Sequence, residues 1–339
     1  MRRSALLGTV FVTSFALSAA EADEAPRVVA SILPVGSIAA AVMDGVGEPS
    51  VLLEPGASPH AYSMRPTQAQ ALDEADVIFW VGPDMEAFLS RPLAALGGDA
   101  RQVALAEVSG IELLPYREGA LFDGHDHAHD EHAHEDDHDH AHDDHAHEDD
   151  HEHAPDEHGH DDHGHAHGEM DAHIWLSPAN ARVMAEAMAA TLAEVDPAHA
   201  GQYETNAAGF ADRLTAVEEE IEAILAPVRG RPFVVFHDAY HYFEAAFDIE
   251  AAGAIHLNPE VPPGAARVAE IQARLGELDA ACVFAEPQFQ PRVVETVIEG
   301  SAARTGVLDP LGSEIGMEPD GYPKLLIDLA QGLADCLRD

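Results

Sequence analysis

The chain has 339 residues, 46% of them hydrophobic, and a formal net charge of −45 from 62 acidic against 17 basic side chains. A surface this acidic repels polyanions, which argues against nucleic acid and anionic membranes as partners. The length suits two domains of ordinary size.

The first residues, MRRSALLGTVFVTSFALSAAEADEAP, join a basic start (Arg2, Arg3) to an apolar run over 5–17 and then small residues. This is the form of a secretory signal peptide, expected to span 1–22, with cleavage after Ala20 or Ala22. No cysteine sits there to carry a lipid. No later stretch reaches eighteen apolar residues, so the exported chain is expected to be soluble.

VVASIL (28–33) reads as a buried strand followed by a helix over SIAAAVMDGVG. SVLLEP (50–55) is a second strand, and GASPHAYSMRPTQAQALDEA gives a loop and a short helix. DVIFWVG (76–82) is a third strand, DMEAFLSRPLAAL a helix, and RQVALAE a fourth strand. Strands alternating with helices at this spacing predict a parallel sheet with crossover helices.

Residues 125–167 then break the rhythm with 17 His and 17 acidic residues, no Lys or Arg, and no large apolar side chain. Such a segment has nothing to bury and must leave from the surface. Its carboxylates repel one another at neutral pH, and a divalent cation relieves that repulsion. Imidazole with carboxylate suits zinc. The plain alternative is a solvated acidic linker, which does not ordinarily place His at every second or third position.

Beyond DAHIWLSPANARVMAEAMAATLAEVD, the residues Tyr203, Phe210, Leu214, Val217, Ile221 and Ile224 recur at helical spacing and predict one long helix over 198–226. Pro227 and Gly230 end it. PFVVFHD (232–238), AGAIHL (252–257), ACVFAE (281–286) and GVLD (306–309) are then short strands, with helices at 263–277 and 290–301. Two cysteines, Cys282 and Cys336, in an exported chain fit one disulfide.

Six histidines lie outside the tract: His60, His173, His199, His237, His241 and His256. In open α/β sheets, ligands bind beyond the C-terminal ends of the strands. His60, His237 and Asp309 hold such positions, and His173 joins them if the chain folds back after the tract. Three imidazoles and a carboxylate make an adequate zinc shell. Taken singly, each histidine is as well explained by an ordinary hydrogen-bonded role. Asp238 and Glu286 stand near the strand ends, where either would orient a ligand imidazole or cap a helix.

GASPHAYSMRPTQ, DAHIWLSPANA, FHDAYHYFEAAF, LNPEVPPGAA, CVFAEPQF and ARTGVLDPLG, in that order, resemble the zinc-specific solute-binding proteins of bacterial ABC transporters. The resemblance runs from about residue 27 to the end. It implies an α/β fold of two (β/α) lobes with parallel sheets, joined by one long helix. The divisions would be a lobe at 23–197, the linking helix at 198–226 and a second lobe at 227–339. It also implies a metal held between the lobes by His60, His173 and His237, with Asp309 as the fourth ligand, and a disulfide between the two cysteines. The implied cargo is Zn²⁺ in the periplasm, with an inner-membrane ABC permease and a periplasmic zinc chaperone as partners, and a monomeric state. The tract would be a low-affinity zinc antenna or a sensor of zinc excess. His241 stands where the family has a small residue; four residues after His237, it would share a helical face with it as a secondary contact.

Two other classes compete. A three-His zinc site with an open position activates water in hydrolases, but HExxH occurs nowhere outside the His-rich tract and GxSxG nowhere in the chain. A periplasmic zinc buffer would need only the tract and leaves the motifs of the second half without purpose. The chain also lacks GxxxxGK[ST], so energy for uptake would come from a separate ATPase.

Overall fold

The computed structural model describes residues 25–96, 98–117, 170–256, 259, 261, 263–278 and 280–338. The expected leader (1–22) and the His-rich tract (125–167) lie outside them. The first lobe runs β1 (Val28–Ala30), α1 (Leu33–Val42), β2 (Ser50–Val51), α2 (Pro66–Asp73), β3 (Val77–Trp80), α3 (Ala87–Leu96) and β4 (Arg101–Ala104). Two helices follow, α4 (Pro178–Val195) and α5 (Ala200–Leu225). The second lobe runs β5 (Phe233–His237), α6 (His241–Phe247), β6 (Gly253–His256), α7 (Ala265–Leu278), β7 (Cys282–Ala285), α8 (Arg292–Ile298), β8 (Arg304–Val307) and α9 (Gly321–Leu337).

Both sheets are parallel, in the orders β2-β1-β3-β4 and β6-β5-β7-β8. The two lobes therefore repeat one topology, though no sequence repeat announces it. Helices cover both faces of such sheets, which is why every residue of β1 and β5 is buried and all but the terminal His237 are apolar. In each sheet the first strand lies between its two successors. The order reverses there, and a crevice opens beyond the strand ends.

Helix α5, about 39 Å long at 1.5 Å per residue, turns Tyr203, Phe210, Leu214, Val217, Ile221 and Leu225 inward. Leu225, rather than Ile224, ends the buried stripe, Ile224 being half-buried. The helix packs on α4 and α9, and α1 touches all three. One apolar core runs through this layer from β1 to α9 and into β5. Cys282 on β7 is bonded to Cys336 on α9, which ties the C-terminal helix to the second sheet. Strand β8 starts and ends two residues before the expected 306–309. Gly306 lies flat against Phe284, where a Cβ would come within 2.4 Å of the ring, and Asp309 falls in the turn that follows.

Candidate metal centre

Three separated segments meet in the interlobe crevice. His60 lies in the loop between β2 and α2, half-buried. His173 precedes a single 3₁₀ turn, Ile174–Leu176, and His237 is the last residue of β5. Both are buried, each 4% exposed. The chain does fold back after the tract. A bridge between Pro115 and Met170 closes its base, and the Asp171 amide donates to the Leu114 carbonyl (2.8 Å). Ser177 then caps α4 by accepting from the Asn180 amide, with Pro178 in the first turn, so the helix starts five residues beyond the histidine.

The three ring centroids form a near-equilateral triangle with sides of 5.5, 5.5 and 5.3 Å. One ligand nitrogen from each ring lies within 4.8 Å of the other two. His173 and His237 approach most closely, Nε2 to Nε2, at 3.3 Å. A tetrahedral zinc ion with Zn–N bonds of about 2.0–2.1 Å sets its nitrogens about 3.3–3.4 Å apart, so this pair already has the spacing of two corners.

The protonation of these rings follows from what stands behind them. His173 Nδ1 is 2.7 Å from Asp171 Oδ1, and His237 Nδ1 is 2.7 Å from Glu286 Oε1. A carboxylate only accepts, so in the neutral rings both Nδ1 atoms carry hydrogen and both Nε2 atoms present lone pairs. Two facing lone pairs repel unless a cation lies between them. Burial lowers the pKa of His237, yet the charge and hydrogen bond of Glu286 outweigh it and the net shift is upward. The site thus favours positive charge. With Ser58, Trp175 and Gln288, the three imidazoles line a cavity of about 10 Å³, room for about one ion or water.

The other expected residues fall elsewhere. Asp309 is outside the three-imidazole cluster. Its Oδ1 accepts from Gln288 Nε2 (2.7 Å) and the Leu311 amide (3.0 Å), and its Oδ2 from the Ser313 amide (2.6 Å). His241 does not share a helical face with His237, because His237 ends a strand and His241 begins α6. It lines a separate cavity with Arg117 and Glu244. His256 pairs with His237 across β5 and β6, but its Nδ1 bonds the Val261 carbonyl (2.8 Å) and its ring lies over Phe236. His199 pairs with Asp196.

Among the described residues Asp238 is paired with Arg117 and not with an imidazole. Both its oxygens accept from Arg117 Nε at 3.0 Å, while Arg117 Nη1 donates to Glu244 Oε2 at 2.6 Å. Tyr242 laces the same boundary, donating to the Asp171 carbonyl (2.7 Å) and accepting from the Leu114 amide (3.0 Å). Sequence reasoning missed Asp171 and Arg117. The acid two residues before His173 was a usable signal for the first. Nothing local announced Arg117, 121 positions from Asp238.

Comparison with known proteins identifies the family and the fold. The family model for the periplasmic zinc-uptake complex component A matches residues 28–336. The high-affinity zinc uptake system protein ZnuA of Brucella abortus (strain 2308) is 49% identical over 334 residues, covering 98% of both chains. Its namesake from Yersinia pestis is 40% identical, covering 92% of this chain and 91% of that one. A crystal structure of ZnuA superposes with a TM-score of 0.70 at 26% identity, over 92% of this chain and 99% of that one. The periplasmic zinc-binding protein TroA of Treponema pallidum, at 16% identity and a TM-score of 0.69 over 93% of this chain and all of that one, shares the fold.

Proposed function

The chain belongs to the periplasmic zinc-uptake component A family, and on that premise we propose that His60, His173 and His237 are the ligands that hold its zinc between the lobes. Members of this family are extracytoplasmic zinc-binding receptors serving ABC-type uptake, not enzymes, and this chain is one of them. The observation that carries the ligand assignment is the 3.3 Å approach of two lone-pair nitrogens, each backed by a carboxylate. Neutral imidazoles take zinc without loading the site with negative charge, and a nitrogen-rich shell disfavours manganese. Zinc is cargo here, and the protein's part is to present the three rings already turned toward one point.

The receptor passes the ion to an inner-membrane ABC permease, which the acidic surface reaches without competition from nucleic acid or anionic lipid. The lobes are the stretches on either side of the long helix, about 23–197 and 227–339. The His-rich tract collects zinc weakly, and the chain works as a monomer. A cell that makes this protein, with the gene removed, tests the reading by growth under zinc chelation. Re-expressed wild type restores growth. The His237→Ala chain, exported in equal amount, does not; restoration by that variant contradicts the assignment.

A further inference from the structure

Three imidazoles fill three corners of a tetrahedron and leave the fourth to be supplied. Asp309 is held by three hydrogen bonds, from Gln288, Leu311 and Ser313. Glu286 lines the same cavity and its Oε2 likewise has no hydrogen-bond partner among the described residues, but its Oε1 is held on His237 Nδ1 (2.7 Å), the ring edge turned away from the cluster. Gln288 remains. It lines the same cavity as the three rings. Its Nε2 donates to Asp309 Oδ1 (2.7 Å) and to Ser313 Oγ (3.0 Å), so both amide hydrogens are used. Turning the amide over would set its oxygen against a carboxylate, so the orientation is fixed by chemistry. Oε1 is then buried without a hydrogen-bond partner among the described residues. A buried amide oxygen without a donor is rare and costly, and calls for an explanation.

We propose that Gln288 is a positioning residue, whose Oε1 accepts a hydrogen from a water that fills the zinc ion's fourth corner; the inference rests on the three-imidazole reading above. A cation polarises its bound water and makes it a strong donor, and the cavity has room for a group of that size. The chain Ser313–Asp309–Gln288 fixes where the acceptor stands. The negative end of the amide also opposes an anion at that corner, so Gln288 selects water over competing anions. Asp309, expected from sequence as a ligand, acts one residue removed by holding Gln288.

The test uses the full chain with less than one equivalent of Co²⁺, whose tetrahedral absorption reports the site and not weak octahedral binding elsewhere. Azide is then titrated at pH 8 into wild type, Gln288→Leu and Gln288→Glu. Azide should displace the water in wild type, bind about three- to tenfold more tightly in Gln288→Leu, and bind more weakly in Gln288→Glu. A general loosening of the structure would not move the two variants in opposite directions. Zinc affinity should fall about three- to tenfold in Gln288→Leu. Equal azide affinity in all three proteins, or no azide effect in wild type, overturns the proposal. If Gln288→Leu does not fold, the near-isosteric Gln288→Glu decides it alone. His237→Ala run alongside separates the two failures: if it keeps the tetrahedral absorption, the three-imidazole reading falls whatever Gln288 does.

Discussion

His173 and His237 belong to different lobes, yet their Nε2 atoms stand 3.3 Å apart with a carboxylate 2.7 Å behind each ring. The carboxylates fix the tautomer and make the rings more basic toward a metal. Asp171→Asn and Glu286→Gln should each weaken zinc binding about 10- to 100-fold. His173→Ala or His237→Ala should weaken it far more. Chelator competition on the folded variants measures both.

Arg117 is a buried cation holding two buried carboxylates, with side-chain exposures of 14%, 7% and 4% for Arg117, Asp238 and Glu244. Removing one partner of such a group strands the remaining charges. Arg117→Met should cost about 3–5 kcal/mol of unfolding free energy. Arg117→Lys should recover only part of it, since one ammonium cannot reproduce the fork. Denaturant midpoints measure the difference.

Glu86 supplies a pH signature. It is fully buried, and burial, opposed by bonds from Ser31 and the Gly82 and Val81 amides, raises its pKa to about 7. The folded chain therefore keeps a proton that the unfolded chain gives up near pH 4.5. The stabilisation is complete below pH 4.5 and is lost as pH rises through 7. Glu86→Gln should remove about 3 kcal/mol of that decline. Comparing wild-type and variant unfolding at pH 5 and pH 8 checks the sign as well as the size.

The disulfide closes a loop with a sequence separation of 54 and ties α9 to β7. Cys282→Ser with Cys336→Ser should lower stability by about 4 kcal/mol through the freed unfolded chain. The zinc ligands are untouched, so affinity at a temperature where both forms are folded should hold. A thermal scan and a zinc titration on the same sample separate the two effects.

Much of this was legible in the chain. Buried parallel strands read as apolar runs, so β1, β3, β5 and β7 were visible in VVA, VIFW, FVVFH and CVFA. The helical stripe on α5 was visible too, because its period is local. His60 and His237 were marked by following strands. What escaped depends on distance in sequence. The reach of Arg117 to Asp238 and Glu244 crosses 121 and 127 positions. Asp309 has the right residue type at a strand end, but β8 stops at Val307 and turns the carboxylate to Gln288 and the backbone. A four-residue spacing puts His241 on the face of His237 only within one helix, and α6 begins at His241 itself. Periodicity cannot reveal where a strand gives way to a helix within five residues.

The most direct measurement is a chelator-competition titration of the exported chain lacking residues 125–167, with and without His60→Ala. A receptor built on the three imidazoles binds one Zn²⁺ tightly without the tract, and His60→Ala abolishes that binding. If tight binding disappears with the tract, or survives His60→Ala unchanged, the interlobe site is contradicted.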